Sequence, residues 1–393
     1  MSSTFESARP NVALARALHA METLRAWVEA RDFAGWDPYD ALNSPVLGVL
    51  SARTKWGRLA CIQAMKHLPV NIRPLLLTRP GHNPKALALF LEGYVKLARP
   101  CTDERCKSQS GRLIELLAAT RTITRAGHGW GYNFDWQSRA FFVPRGTPSI
   151  VCSAFVGHAL LDAYELISDK RALDLAVPIA RFFLADLRRL RERDTFCFSY
   201  TPLDDYAVHN ANVLGASLLL RLSRVTGENA WRDDALAALA YTMRHQNPDG
   251  SWYYSQRCGS RWIDSFHTGF VLESVRHFLK LGEADQYRSA YSRGVEYYAA
   301  NFFLPDGTPK YYHDRVYPID IHSPAEAVTF FGADGGRSEL LWRVLGWTLD
   351  NMQDPSGYFY FRRSRTATNR IPYMRWSQAW MFRALASVLV EAA

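Results

Sequence analysis

One stretch of the chain reads Gln246-Asn247-Pro248-Asp249-Gly250-Ser251-Trp252-Tyr253-Tyr254, and Trp262-Ile263-Asp264-Ser265-Phe266-His267-Thr268-Gly269 follows it, before an apolar segment to about Leu281. A tight turn and an aromatic stretch thus lead into a polar loop and then into a long helix. The pattern occurs five times, and the turn glycines of three copies, at positions 250, 307 and 357, are 57 and 50 residues apart. A period of this length is typical of repeat architectures.

Each polar loop leads into a helix of small and apolar residues. Six such helices are predicted, at 84–98, 149–166, 209–223, 265–281, 323–332 and 372–390. Six more have the i, i+3, i+4 rhythm of amphipathic helices, at 10–30, 108–121, 172–190, 229–245, 284–303 and 337–352. This alternation predicts an all-α fold, an (α/α)6 toroid of six helical hairpins with the less polar helices in the inner ring. We expect residues 1–393 to form this single domain, with the N-terminal helix closing the ring.

The composition and net charge of the chain limit the classes of function that it can have. The chain has 393 residues, 48% of them hydrophobic and 22% charged, as in globular proteins. Its net charge of +9 and pI near 9.3 suit an anionic partner such as an acidic glycan. The densest basic stretch, 181–193, also carries regularly spaced apolar residues, which favours the solvent-facing side of a helix. We find no helix-turn-helix, RNP-like or zinc-finger pattern, so nucleic acid is not expected as a partner.

Six cysteines are present, and Cys101 and Cys106 lack the two-residue spacing of a zinc knuckle. We therefore expect reduced thiols, no metal site and no cofactor. The N-terminal residues show no basic start followed by an apolar run, and no stretch reads as long and apolar enough to span a membrane. These features predict a cytoplasmic protein.

The predicted toroid brings distant residues together, because every segment that enters an inner helix lies at the same end of the barrel, as loops do at one face of a (β/α)8 barrel. A rim rich in aromatic, acidic, basic and imidazole side chains is typical of a sugar site. The candidate site residues at this rim are Asp135, Trp136, Arg139, Asp205, His209, Asn210, Asn212, Asp264, His267, Thr268, Tyr312, Tyr317, Asp320, His322, Tyr373, Arg375 and Trp376.

The turn formed by Gln246, Gly250 and Trp252 resembles the QW-type repeat of terpenoid cyclases and prenyltransferase-like toroids, and Gln353, Gly357 and Phe359 repeat it. This resemblance concerns a structural turn and supports the toroid. Terpenoid cyclases of that type also carry an Asp-x-Asp-Asp motif that protonates the substrate. The nearest segment, 203–205, lacks the first Asp, which disfavours this class.

Over most of residues 40–390 the chain resembles the six-hairpin, glycosidase-like toroids, and among them proteins encoded in bacterial exopolysaccharide and capsule clusters. The segments that carry the resemblance are 134–139, 208–212, 264–269, 317–322 and 375–380. The resemblance implies a carbohydrate-active enzyme of surface-polysaccharide metabolism that works beside polysaccharide-assembly machinery. Toroids of this kind include glycoside hydrolases, uronate lyases, uronyl C5-epimerases and sugar 2-epimerases.

Two reaction classes compete for the rim. A hydrolase needs two carboxylates about 5–9 Å apart, for which Asp135, Asp205, Asp264 and Asp320 are the candidates. A lyase or C5-epimerase removes the proton beside a uronate carboxylate, and needs a base, an acid and a group that neutralises the carboxylate. The histidines, tyrosines and basic net charge favour the second class, acting on an acidic sugar or oligosaccharide.

In this interpretation the base is His267 or His322, with His209 as a further candidate, and the acid is Tyr312 or Tyr317. Arg375 and Asn210 hold the carboxylate, and the aspartates at 264 and 320 orient the two histidines or cap their helices. The remaining candidates bind the sugar: Asp135, Trp136, Arg139, Asp205, Asn212, Thr268, Tyr373 and Trp376. A glycoside hydrolase and a non-catalytic glycan-binding or scaffold subunit remain the alternatives.

Overall fold

The computed structural model describes residues 3–51, 54–98, 104–138, 141–334 and 338–391. These residues contain fourteen α-helices: α1 Ser3–Glu29, α2 Pro45–Leu50, α3 Lys55–His67, α4 Pro84–Ala98, α5 Glu104–Thr120, α6 Ile150–Ile167, α7 Lys170–Asp186, α8 His209–Thr226, α9 Asn229–Arg244, α10 Ser265–Lys280, α11 Arg288–Asn301, α12 His322–Asp334, α13 Ser338–Met352 and α14 Trp380–Glu391. Two 3-10 turns lie at Asp40–Asn43 and Asp285–Tyr287, and a π-helix, Met374–Ala379, runs directly into α14.

Twelve of the described helices form two concentric rings. The inner ring consists of α4, α6, α8, α10, α12 and α14; each contacts the next, and α14 contacts α4 and closes the circle. Each inner helix pairs with an outer one, in the hairpins α4–α5, α6–α7, α8–α9, α10–α11 and α12–α13, while α1 packs against α14. The predicted (α/α)6 toroid is therefore confirmed, and α1 occupies the outer position beside α14.

Burial follows ring position, as the sequence pattern predicts. In α6 every residue from Ile150 to Leu161 is buried, because the inner helices are covered on all sides. Its neighbour α7 is a one-sided outer helix that buries Ala172, Ala176, Ile179, Ala180 and Phe183 at helical spacing. By length and composition α6 is also one described helix that could cross a membrane, and 72% of it is buried within the ring.

Helices α2 and α3 have no counterpart in the sequence prediction. They belong to the long connection between α1 and α4, and they pack on a small separate core of Ala41, Ile62 and Met65. This connection also carries Asp37 and Tyr39 to the end of the barrel where the inner helices begin. The insertion therefore contributes to the candidate site.

The strands are short and lie at the end of the barrel where the inner helices begin. They are β1 Thr122–Ile123, β2 His128–Gly129, β3 Trp136–Gln137, β4 Phe142–Val143, β5 Arg189–Glu192, β6 Thr195–Phe198, β7 Ile319–Asp320, β8 Arg362–Arg363 and β9 Thr368–Asn369. The first six form three antiparallel hairpins, and β7, β8 and β9 form an antiparallel sheet in that order. The pairing of Asp320 with Arg362 ties the loop before α12 to the loop before α14.

The repeated turns pack in the same way in three hairpins. Gly250, Gly307 and Gly357 have φ values of 94°, 90° and 102°, a left-handed conformation that favours glycine. A Cβ would lie 2.5 Å from a backbone carbonyl oxygen of the next outer helix at positions 250 and 357, and closer still at 307. The carbonyls concerned belong to Arg293, Arg343 and Thr23. The repeat is therefore fixed by close backbone approach between neighbouring hairpins.

The glutamine of the turn reinforces this contact. The Gln246 side-chain amide donates to the carbonyl of Gly250 at 2.9 Å and to that of Ala290, on the next outer helix, at 2.8 Å. Gln353 donates in the same way to Gly357 at 3.2 Å and to Ala20 at 3.4 Å. The QW-type turn thus has a structural role, because its glutamine joins the turn to the next outer helix.

We predict that Gly307→Ala lowers the free energy of unfolding by roughly 2–4 kcal/mol, which combines the left-handed strain of an L-residue with overpacking against the Arg343 carbonyl. Gly227→Ala is the matched control, since Gly227 has φ 80° with no atom near the added Cβ. Its cost should be about 1 kcal/mol. Chemical denaturation measures both, and equal losses would contradict the close-approach account.

Candidate active site

The starts of the inner helices surround a cavity of about 480 Å³ at one end of the barrel, within the range of small-molecule sites. Seven of the predicted site residues line it: Trp136, Asn210, His267, Tyr312, His322, Arg375 and Trp376. They come from segments spread over 240 residues of sequence. The topological convergence expected from the sequence therefore places these side chains around one space.

His267 is oriented by a carboxylate. Asp264 precedes α10 and caps it, because its Oδ1 accepts from the His267 backbone N–H at 3.0 Å. Its Oδ2 accepts from His267 Nδ1 at 2.7 Å and from Trp262 Nε1 at 3.0 Å. With the proton on Nδ1, the neutral imidazole carries its lone pair on Nε2. Asp264 is therefore both helix cap and orienting partner, and His267 is a competent base that lines the cavity.

His322, at the start of α12, has a different environment. Its ring stacks on Phe266 with centroids 4.4 Å apart, and neither ring nitrogen has a hydrogen-bond partner among the described residues. Burial, followed by the charges of Lys85 and Arg375, holds the pKa of His322 well below its usual value. The imidazole is therefore neutral at pH 7. His267 packs on Phe266 at 4.2 Å, so this phenylalanine contacts both histidines.

Asp320 does not contact the His322 ring. Its Oδ1 accepts from the His322 backbone N–H at 3.1 Å and from Trp376 Nε1 at 2.7 Å, and its Oδ2 accepts from Arg362 at 2.7 Å. The side chain is fully buried. Asp320 thus holds the start of α12 and the Trp376 indole, which fits the helix-capping alternative of the prediction rather than orientation of the His322 imidazole.

Arg375 lies in the π-helix, and it lines the cavity with its charge already matched. Its guanidinium makes a two-point ion pair with Asp37, at 2.5 and 2.8 Å, and lies 4.9 Å from the centre of the Tyr132 ring. Both partners of the ion pair are buried. The carboxylate of Asp37 raises the pKa of Arg375 against the effect of burial. The Arg375 side chain therefore lines the cavity with its positive charge balanced by Asp37.

Lys85 is a cavity residue that the sequence analysis missed. It is the second residue of α4, and its ammonium lies 4.3, 5.4 and 5.0 Å from the ring centres of Phe155, Phe270 and Trp380. It follows Asn83-Pro84, so it stands in the first turn of an inner helix, as His267 and His322 do. That shared position was the signal available in the sequence.

Aromatic side chains form most of the wall. Those absent from the predicted set are Tyr39, Tyr132, Phe134, Phe141, Tyr200, Tyr206, Tyr254, Trp262, Phe266, Phe270 and Tyr311. Burial raises the pKa of Tyr254 and of Tyr200, so these phenols stay protonated. No aspartate or glutamate lines the cavity among residues 3–51, 54–98, 104–138, 141–334 and 338–391. The cavity is therefore aromatic, hydroxyl-bearing and cationic.

Four predicted site residues are buried behind the wall. His209 stacks near Tyr241, its Nε2 lies 3.1 Å from the Gln256 amide, and burial lowers its pKa to about 3. The other three make internal hydrogen bonds. Asn212 bonds Phe198 and Ala238, Thr268 bonds the Asp264 carbonyl, and Tyr373 accepts from Arg73. These hydrogen bonds connect loops to helices, and the side chains that make them do not line the cavity.

Three predicted residues lie outside the cavity on exposed loops. Asp135 accepts from the backbone N–H of Arg145 at 2.7 Å, and Asp205 pairs with Arg257 at the surface. Tyr317 is 40% exposed and does not line the cavity. The structure thus separates Tyr317 from Tyr312, which the sequence treated as equivalent. Arg139 lies outside the described residues.

The comparisons with known proteins agree with this architecture. A scan against family models finds no match, and no curated protein matches the chain. In fold the chain is similar to cellobiose 2-epimerase from Bacillus thermoamylovorans B4167, with a TM-score of 0.63 and 13% identity over 79% of this chain and 88% of that one. The similarity shows the fold alone, an (α/α)6 toroid.

Two further solved structures share it. A GH76 α-mannanase from Bacteroides thetaiotaomicron has a TM-score of 0.59 and 12% identity, over 78% of this chain and 86% of that one. A polysaccharide lyase has a TM-score of 0.54 and 12% identity, over 78% and 89%. These proteins carry different chemistries on one fold, so the reaction must be argued from the site.

We predict that Asp37→Asn lowers the free energy of unfolding by about 3–5 kcal/mol, because it leaves the buried Arg375 guanidinium without its counter-charge. Asp205→Asn removes an ion pair whose side chains are 60% and 47% exposed, and should cost less than about 1 kcal/mol. Urea unfolding distinguishes the two. A small loss for Asp37→Asn would mean that Arg375 has another partner.

Proposed function

We propose that this protein is a carbohydrate-active enzyme that removes a carbon-bound proton beside the carboxylate of an acidic sugar or oligosaccharide, as a lyase or a C5-epimerase. One observation carries the proposal: His267, oriented by Asp264, faces an aromatic cavity that also holds cationic groups. A positioned imidazole with a free lone pair is a general base at neutral pH. The aromatic wall suits the faces of pyranose rings.

Tyr312 is the acid in this proposal. It lines the cavity, and burial, together with the nearby charge of Asp264, raises the pKa of its phenol. The phenol therefore remains protonated at neutral pH and can donate to a leaving oxygen or to a carbanion. Asn210 lines the same cavity with a buried carbonyl oxygen that has no partner among the described residues, so it is free to meet a sugar hydroxyl.

The lining composition argues against the hydrolase alternative. Hydrolysis of a glycosidic bond needs two carboxylates that flank the bond, and the described cavity wall offers none. Asp264, the nearest candidate, uses both oxygens on His267 and Trp262. The oriented histidine in turn disfavours a purely scaffolding role, since a binding wall has no need of a carboxylate–imidazole pair.

A second candidate is an aldose 2-epimerase or isomerase. The observation that favours it is the pair of imidazoles, His267 and His322, on one phenylalanine, because two bases can exchange a proton on the carbon next to a sugar carbonyl. The similar structures include a cellobiose 2-epimerase and a D-mannose isomerase. This candidate keeps the same base and differs in the substrate, which would be neutral.

The biological setting is part of the proposal. The resemblance of segments such as 264–269 and 317–322 to proteins of exopolysaccharide and capsule clusters supports a role in bacterial surface-polysaccharide metabolism. We propose that the substrate is a cytoplasmic precursor of the polysaccharide. The protein would act on it in contact with the polysaccharide-assembly machinery.

We predict that His267→Gln lowers the rate of proton abstraction by at least about 100-fold, the range expected for loss of a general base, read as deuterium gain at sugar carbon in heavy water for an epimerase or as unsaturated product for a lyase. Asp264→Asn should lower it less and shift its pH profile, because the imidazole loses its orienting partner. Proton NMR of the sugar measures the exchange. An unchanged rate in His267→Gln would remove His267 from the mechanism.

Two tyrosines provide a matched pair. We predict that Tyr312→Phe slows turnover by at least about tenfold, because it removes the cavity phenol. Tyr317→Phe should leave the rate unchanged, since that side chain is exposed and away from the cavity. Equal rates for the two variants, or a loss confined to Tyr317→Phe, would exclude Tyr312 as the acid.

A further inference from the structure

Lys85 has an environment that is unusual for a lysine. Its side chain is 4% exposed and stands on the first turn of inner helix α4, where its ammonium lies among the rings of Phe155, Phe270 and Trp380. These rings separate the cavity from the opposite mouth of the barrel, because Phe155 lines that mouth while Phe270 lines the cavity. The ammonium thus lies at the cavity floor, where ring faces stabilise it but offer no hydrogen bond.

The charge of this lysine is unmatched. No described residue makes a hydrogen bond or ion pair with its ammonium group. The other cavity cation, Arg375, is neutralised by Asp37, whereas the described wall offers no carboxylate to Lys85. A buried charge without a partner is costly, and such a group in a cleft is a candidate for a functional site, where a ligand can supply the partner.

We propose that Lys85 forms an anion-binding subsite that receives the carboxylate of the acidic sugar at the floor of the cavity. The inference rests on the proposed function in that the sugar binds here. Phe270 relates this subsite to the base, since its ring centre lies 5.4 Å from the ammonium and 6.1 Å from the His267 ring centre. Lys85 and His267 therefore pack against the same ring, and the proposal places the carbon next to the carboxylate between them.

The subsite has a pH signature. Burial, followed by the charge of Arg375, lowers the pKa of Lys85 to about 7. A bound carboxylate favours the ammonium form, so binding is strong below pH 7 and weakens as the pH rises through and above that value. The charged and titratable groups that face Lys85 from the other inner helices and from the π-helix before α14 are Arg375, Cys152, Glu326, Arg383 and His322. Burial raises the pKa values of Cys152 and Glu326 and lowers that of His322, so in all three groups burial disfavours the charged form.

Calorimetric titration of D-glucuronate, D-galacturonate and D-mannuronate, each against its neutral aldose, tests the inference in wild type, Lys85→Met and Lys280→Met. Lys280 is a matched control, since it lies on an inner helix at the opposite mouth. We expect wild type and Lys280→Met to bind at least one uronate about tenfold or more tightly than its aldose at pH 6, and to lose this preference at pH 9. Lys85→Met should show no preference at either pH.

A preference that survives in Lys85→Met, or wild type that binds none of the three uronates more tightly than its aldose, would overturn the inference. Tighter binding of glucose 6-phosphate than of the uronates would overturn the assignment to a carboxylate. Folding of the variant is checked by its melting temperature, which we expect to equal or exceed that of wild type because methionine suits the aromatic floor. Lys85→Gln repeats the binding test if Lys85→Met is unstable.

The subsite and the proposed reaction can fail separately. Uronates and uronate oligosaccharides that bind through Lys85, but neither gain deuterium at carbon in heavy water nor yield an unsaturated product, would leave the subsite and remove the proton-abstraction proposal. Deuterium gain by neutral aldoses, with no uronate preference in binding, would overturn the subsite and support the 2-epimerase candidate.

Discussion

Closure of the inner ring is the constraint on which the rest of the structure depends. Because α14 packs on α4, the six inner helices enclose a single axis, and their first turns face one another around one end of it. Lys85, His267 and His322 occupy such first turns on three different helices. This geometry brings side chains that lie more than 180 residues apart in sequence to within several ångströms of one another. The glycine turns support it by setting how closely neighbouring hairpins approach.

The distribution of carboxylates gives the cavity its chemical character. Asp37, Asp264 and Asp320 all lie close to the wall, but each is turned to a partner within the protein: an arginine, a histidine and a set of donors that includes Arg362. Acidic groups thus hold the wall in shape while imidazole, phenol, indole and ammonium groups face the space. The absence of a carboxylate from the described wall is the reason that we propose proton transfer on an anionic sugar rather than attack between two acids.

The repeat and the helical rhythm were sufficient to predict the toroid, because each hairpin carries its own turn, its apolar inner helix and its amphipathic outer helix. The same register identified His267 and Trp376 as rim residues. Contacts that depend on long-range packing could not be predicted from the sequence. The ion pair of Asp37 with Arg375 joins positions 338 residues apart, and α2 and α3 follow no repeat. Lys85 was missed because a lysine at a helix start is usually solvated, and only ring closure buries it.

Side-chain polarity also misled the sequence analysis in a consistent way. Asn212, Thr268 and Tyr373 are polar residues near the rim, but they satisfy backbone groups and a buried arginine instead of facing the cavity. Polar residues that end or begin helices often serve such internal bonds. Telling them apart from cavity residues requires knowing which side of the inner helix each one occupies.

We propose that an acidic sugar binds with the carbon next to its carboxylate against His267. The most direct measurement is a crystal structure of the His267→Gln variant with a bound uronate. The account predicts the carboxylate within hydrogen-bond distance of Lys85 Nζ, and the adjacent carbon about 3–3.5 Å from the residue 267 side chain, as a reactive geometry requires. A sugar bound outside this cavity, or with its carboxylate turned away from both residues, would contradict the account.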